Sequence, residues 1–251
     1  MTDKDTLRIA AVADLHVKKT AQGALQPLFA KVTEVADVLL MCGDLTDYGD
    51  IEEAKILTKD ITAYLRIPAI GVLGNHDFEA GKQGEIKKML ADAGVTILDG
   101  DATEVQGVGF AGVKGFGGGF GRRSLGSWGE EIIKKFVHET IEEALKLESA
   151  LARLRTPQKI ALLHYSPIQA TVQGEPPEII AFLGSTRLEE PVDRYRVSTV
   201  FHGHAHHGKL EGRTKGNAVV YNVAMPLLKA TFPDQLPYRL VEIPVAQPVS
   251  T

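Results

Sequence analysis

One cysteine, Cys42, stands in the 251 residues, so no internal disulfide can form and packing must hold the fold. Tryptophan is as scarce, with Trp128 alone, and aromatic residues make up 6% of the chain. A protein that stacks single-stranded bases needs more platforms than that. Basic residues do not outnumber acidic ones. Lys and Arg number 28 against 32 Asp and Glu, for a net charge of −4. That balance disfavours nucleic acid as a partner and leaves room for a small anionic ligand. No stretch approaches the 18 consecutive apolar residues of a membrane span, so no membrane partner is expected. The first apolar run, Leu7–Ala13, is too short for a signal-peptide core and leads straight into Asp14 and His16. Together with the lone thiol, these absences predict a soluble, cytoplasmic protein.

What is present is ordinary for a globular chain, with 44% hydrophobic and 24% charged residues. A chain of this length buries roughly 70–75% of its unfolded surface, enough for one core. No internal repeat and no linker composition appears, so residues 1–251 read as a single domain. Short apolar runs alternate with amphipathic stretches. The runs are Leu7–Ala13, Val38–Cys42, Ala69–Leu73, Lys159–Leu163 and Val197–Phe201, rich in Val, Ile, Leu and Ala. They read as strands buried on both faces. Between the first three lie helical patterns at Leu25–Ala36, Ile51–Leu65 and Glu85–Ala93, the last followed by Gly94 as a C-cap. The alternation predicts βαβ units and a parallel sheet, hence an α/β fold. A longer helix is expected over about Glu130–Leu154, with Ile132, Ile133, Phe136, Val137, Ile141, Ala144, Leu145 and Leu151 packing into the core. Near the end, Ala218–Val223 and Arg239–Val245 read as strands of a second sheet, and residues from Pro244 to Thr251 are expected to fray.

Ten of the 25 glycines fall between Gly107 and Gly129. Gly107, Gly109 and Gly112 spell G-x-G-x-x-G, the pattern of a dinucleotide-binding turn. Such a turn must follow a strand and open a helix, whereas more glycine follows here. The segment reads instead as a flexible loop carrying Arg122 and Arg123, either a lid over a site or plain surface.

The histidines mark the chemistry. Seven of the eight sit at or just beyond an apolar run; only His138 lies on the long helix, where it reads as structural. After the first run comes Asp14-Leu15-His16, and after the second Gly43-Asp44-Leu45-Thr46-Asp47. The third leads to Gly74-Asn75-His76-Asp77, the fourth to His164, and the fifth to His202-Gly203-His204-Ala205-His206. Ligands in open α/β sheets bind beyond the carboxyl ends of strands, so five strand ends bring carboxylate, amide and imidazole to one edge. A donor set of nitrogen and oxygen without thiolate suits Mn, Fe or Zn. Asp14, His16, Asp44, Asn75, His164, His204 and His206 are too many ligands for one tetrahedral ion. Two divalent or transition metal ions account for them, in the arrangement that activates a shared water while clamping a phosphoryl group. With two carboxylates and one hydroxide, such a centre keeps a small positive charge that attracts phosphate. His202 and His207 flank the last motif without a clear ligand role. Cys42 reads as buried packing, and Asp77 as structural.

D-x-H, G-D-x-x-D, G-N-H-D, a lone His and G-H-x-H, in this order over about three-quarters of the chain, resemble the calcineurin-like metallophosphoesterase family. The resemblance implies a four-layer α/β/β/α sandwich with a dinuclear metal site at the carboxyl ends of the strands. It implies that Asp14, His16 and His206 hold one metal, Asn75, His164 and His204 the other, and that Asp44 bridges. His76 would then be catalytic, contacting the phosphate or protonating the leaving oxygen, with Asp47 hydrogen-bonded to its other ring nitrogen. Asp47 could alternatively cap the helix that begins near Ile51. The phosphoprotein phosphatase branch of the family reads G-D-x-x-D-R-G and G-N-H-E; this chain has Tyr48 in place of that Arg and Asp77 in place of Glu. A bidentate Arg clamp suits a dianionic monoester, so its absence puts a phosphodiesterase ahead of a phosphomonoesterase. Arg122 or Arg123 could restore the grip. A metal-dependent nuclease or a non-catalytic interaction scaffold are weaker alternatives, the first for want of basic and aromatic surface, the second because no motif residue is lost. The expected substrate is a small phosphate ester. Oligomeric state leaves no signal in the sequence.

Overall fold

A computed structural model describes residues 5–245. The first three apolar runs become β1 (Thr6–Val12), β2 (Val38–Cys42) and β3 (Ala69–Val72), followed by the short β4 (Val95–Ile97). They run parallel, in register Ile9 to Val38 and Leu39 to Ala69. The connections are helices α1 (Gln26–Val35), α2 (Ile51–Tyr64) and α3 (Gln83–Asp92). Asp50 caps α2, accepting from the Glu52 N–H, and Glu53 reaches back to complete a capping box. The cap is therefore Asp50, which leaves Asp47 free of that duty.

The second sheet begins with β5 (Asp101–Val105) and β6 (Val108–Gly112), a hairpin closed by Gln106 and Gly107, whose φ values of 49° and 78° are those of a type I′ turn. The glycine-rich segment thus starts as turn and strand, not as loop. Its continuation is also tied down. Gly115 N–H donates to Glu143, Thr140 donates to the Gly117 carbonyl, and Gly118 and Gly119 donate to Ala181 and Gly184. Exposure begins only near Gly121 and Arg122, so the flexible lid expected from composition is not what this segment forms. Beside β6 lie β7 (Gln158–Leu162), β8 (Thr199–His202) and, beyond β9 (Glu211–Arg213) in the chain, β10 (Val219–Asn222). The order is β5-β6-β7-β8-β10-β9, with β6, β7, β8 and β10 mutually parallel.

The final strand, β11 (Arg239–Pro244), does not join β10 as expected; it pairs antiparallel with β1, Thr6 opposite Pro244. The expected fraying from Pro244 onward therefore fails at Pro244, and its remainder from 246 to 251 lies outside the described residues. Helices α4 (Glu131–Arg153) and α5 (Thr186–Arg194) cover the second sheet, and α6 (Met225–Thr231) follows β10. On α4 the buried face is Val137, Thr140, Glu143, Leu147, Ala150 and Leu151; Ile132 and Leu145 point to solvent, contrary to expectation.

Strand parity builds the layers. Leu7, Ile9, Ala11, Val38, Leu40, Cys42, Ile70 and Val72 face Val108, Phe110, Ile160, Leu162 and Phe201 of the other sheet. The alternate residues Ala10, Val12, Leu39 and Met41 pack on α1–α3, while Ala111, Ala161, Leu163, Val200 and Val220 pack on α4 and α5. The result is a four-layer α/β/β/α sandwich. It sets the carboxyl ends of β1, β2, β3, β7 and β8 along one edge.

Candidate metal centre

The loops that leave β1, β2 and β8 turn sharply, and the turns place functional side chains. Asp14, His16, Asp44 and His204 all adopt positive φ, between 43° and 68°. Non-glycine residues hold that conformation only where the surroundings compel it, and such strain collects at functional sites. Glycine serves the same packing. A Cβ on Gly74 would fall inside the Asp44 carboxylate, and one on Gly203 inside that of Asp14. The glycines of the G-N-H and G-H-x-H motifs are where the loops cross over the acidic residues.

The seven candidate ligands come together as two groups. Asp14, His16 and His206 form one, with the His206 Nε2 3.0 Å from an Asp14 oxygen. Asp44, His164 and His204 form the other, and Asn75 joins it with Oδ1 2.9 Å from the His164 Nε2. Asp44 lies between them: Oδ1 is 3.3 Å from the His164 Nε2, while Oδ2 faces the His16 Nε2 at 3.9 Å and the His76 Nε2 at 4.0 Å. The backbone N–H of His204 donates to both Asp14 oxygens, and the His164 Nδ1 donates to the Cys42 carbonyl, so the two sheets are stitched at the site.

The residues fit metal ions. Both ring nitrogens of His16 are enclosed by protein yet make no hydrogen bond, a cost that a ligand would remove. Carbonyl acceptors orient three of the rings. Cys42 O takes the His164 Nδ1–H at 3.0 Å, Asp47 O takes the His76 Nδ1–H at 2.6 Å, and Phe182 O takes the His204 Nε2–H at 3.3 Å. The opposite nitrogen of each ring is left to face the site, as outer partners do around ligating histidines.

The family model for calcineurin-like phosphoesterases matches residues 7–208. The chain belongs to the calcineurin-like phosphoesterase family. As a member it is a metal-dependent phosphoester hydrolase. Its fold is shared by a phosphopantetheinyl hydrolase from Mycobacterium tuberculosis, at 14% identity and TM-score 0.68, over 93% of this chain and 95% of that one. A Staphylococcus aureus protein named a 5'-nucleotidase matches at 12% identity and TM-score 0.54, over 97% of this chain and 55% of its own. The anchor in the inner membrane complex of Plasmodium matches at 12% and 0.53, over 89% and 73%. A search of curated proteins finds no match. No described helix of this phosphoesterase is long and apolar enough to cross a membrane.

Other residues of this calcineurin-like phosphoesterase take places that the motifs alone did not reveal. It is the carbonyl of Asp47, not its carboxylate, that meets His76; the carboxylate lies 3.5 Å from the His16 Nδ1. Asp77 is fully buried and accepts from the N–H groups of Leu45, Thr46 and Gly74 and from the Thr46 hydroxyl, clasping the β2 and β3 exits together. His202 is buried as well, its nitrogens bonded to the Gly203 carbonyl and the Thr171 hydroxyl. His207 is exposed, and so is His138, 3.7 Å from Glu142. Arg122 is exposed in a turn whose Gly121 N–H donates to Thr186, and among the described residues no guanidinium bonds any candidate ligand, His76 or Asp47.

Burial sets the protonation of the imidazoles. It holds His204 down to about 3 and His202 to about 4, and lowers His16, so all three are neutral at physiological pH. At His164 burial also opposes the charged form, but Asp44 outweighs it and lifts the ring to about 9. The same contact, against the burial that opposes it, holds the Asp44 carboxyl well below the usual range. At His206 the Asp14 hydrogen bond raises the ring. Burial in the core pushes the Cys42 thiol up, which removes it as a nucleophile.

Proposed function

We propose that this phosphoesterase is a two-metal phosphodiesterase acting on small phosphate esters. One ion would be held by Asp14, His16 and His206, the other by Asn75, His164 and His204, with Asp44 shared. The observation that carries this reading is the position of Asp44, whose two oxygens face the two groups separately. When bound, two such ions polarise the phosphoryl oxygens and make a water acidic enough to attack at neutral pH. Mn, Fe and Zn all suit the donor set.

The chain's own residues do the rest. Asp14 and Asp44 place two buried negative charges that offset the ions while leaving the centre attractive to a phosphate anion. His76 is the catalytic acid: its Nδ1 is occupied by the Asp47 carbonyl, so Nε2 is the atom that meets the departing oxygen. Asp47 positions His76 through that carbonyl, and its carboxylate faces His16. Diester selectivity is supported by the motif, where Tyr48 stands in place of the Arg of the phosphoprotein phosphatase branch, since a dianionic monoester is best gripped by a bidentate Arg. The inter-sheet core supports reading residues 1–251 as one domain, and the lone buried thiol supports a cytoplasmic location.

The test is hydrolysis of an aryl phosphodiester against the matching monoester after reconstitution with Mn²⁺. Strong preference for the diester is expected. Preference for the monoester would overturn the diester reading and direct attention to Arg122 and Arg123.

A further inference from the structure

Tyr165 carries a polar group beside the site that none of the roles above uses. It follows His164 directly at the end of β7. Among the six tyrosines it is the only buried one, 7% exposed. Its ring lies against His204 with centroids 4.4 Å apart, crosses His164 edge-on at 5.5 Å and meets Phe116 at 5.8 Å. The Lys114 ammonium sits 5.3 Å from its centroid. These contacts fix the ring on imidazoles of the second ligand group. The hydroxyl, in contrast, has no hydrogen-bond partner among the described residues, and it is not one of the fully enclosed orphan atoms either. The hydroxyl therefore keeps some contact with solvent, on a ring that lies against the site. Buried tyrosine hydroxyls ordinarily find a partner, so an unpartnered one on a ring packed against two candidate ligands calls for a reason.

We propose that the Tyr165 hydroxyl donates a hydrogen bond to a non-bridging phosphoryl oxygen of the substrate. The phenol is an uncharged donor, unlike the guanidinium of the phosphatase branch, whose position here is Tyr48. A phosphodiester spreads one negative charge over two non-bridging oxygens, which a neutral donor can satisfy without a surplus of positive charge. The selectivity part of this proposal rests on the phosphodiesterase reading; the contact itself does not.

Tyr165→Phe separates the contact from packing, because the ring and its neighbours remain. The Mn²⁺-loaded variant and wild type are compared for metal content, thermal midpoint, inhibition by inorganic phosphate, and kcat/KM on the aryl diester and monoester. Metal content and midpoint are expected to hold while diester kcat/KM falls about 10–100-fold and phosphate inhibits less well. A kcat/KM within about twofold of wild type, with both metals bound, overturns the proposal. Loss of metal also overturns it, because Tyr165 would then act by supporting His204. If wild type prefers the monoester, the diester reading fails, and the same fall on the monoester still supports the contact.

Discussion

Asp44 and His164 show how the site works residue by residue. Two groups are buried at the end of a parallel sheet, where isolated charges are costly, and each keeps the other ionised in the metal-free protein. The raised imidazole stabilises the fold below its unfolded value of 6.5, and that support is lost as pH rises to about 9. The depressed carboxyl contributes above its unfolded value of 3.8 and ceases to as the solution is acidified. A ligating imidazole must be deprotonated at the ligating nitrogen, so if His164 holds a metal, binding and raised pH would favour the same state. The Mn²⁺-induced rise in thermal midpoint is therefore expected to grow from pH 6.5 to 9; an increment that stays flat or shrinks across that range would contradict this account. At His76 the expectation is kinetic. His76→Ala should keep both metals and lose about 10²–10⁴ in kcat, and turnover equal to wild type would remove the acid role. The motif residues were legible because each is a polar group placed directly after an apolar run. Tyr165, the Phe182 carbonyl and the carbonyl role of Asp47 were not, since no spacing rule marks a backbone acceptor or an aromatic ring that turns back on the site.

Among the elements, the loops that leave β2 and β3 are locked by Asp77. Four donors converge on its buried carboxylate, and they come from Leu45, Thr46 and Gly74, within two residues of Asp44 or Asn75. Asp77→Ala should cost about 3 kcal/mol by urea denaturation, because it leaves several buried donors unpaired. It should also weaken Mn²⁺ binding by shifting both ligands, and an unchanged metal affinity would show that the loops hold their positions without the clasp. The elements themselves were unevenly legible. Unbroken apolar strands such as Val38–Cys42 announced themselves to the residue. Strand β6 was hidden by the glycines that let it pack, α5 by Pro191 in its interior, and β9 by its polar edge position. Partner choice was hidden too: β11 carries the same pattern as a second-sheet strand, and only tertiary packing sends it to β1.

For the molecule as a whole, the two sheets depend on each other. Phe110 and Phe201 are fully buried between them, and the two ligand groups draw residues from both sheets. Leu162→Ala should cost about 2–5 kcal/mol, and calorimetry should show one transition in which fold and metal capacity are lost together. Two separate transitions would contradict the single-domain reading. The central claim, that seven side chains from five strand ends hold two catalytic metal ions, is tested most directly by counting metal. Purified chain stripped with chelator and titrated with Mn²⁺ should bind two ions, recover phosphoester hydrolysis in step with the second, and lose both properties in Asp44→Ala. Activity that survives stripping, or an Asp44→Ala variant that still binds two ions and turns over normally, would contradict it.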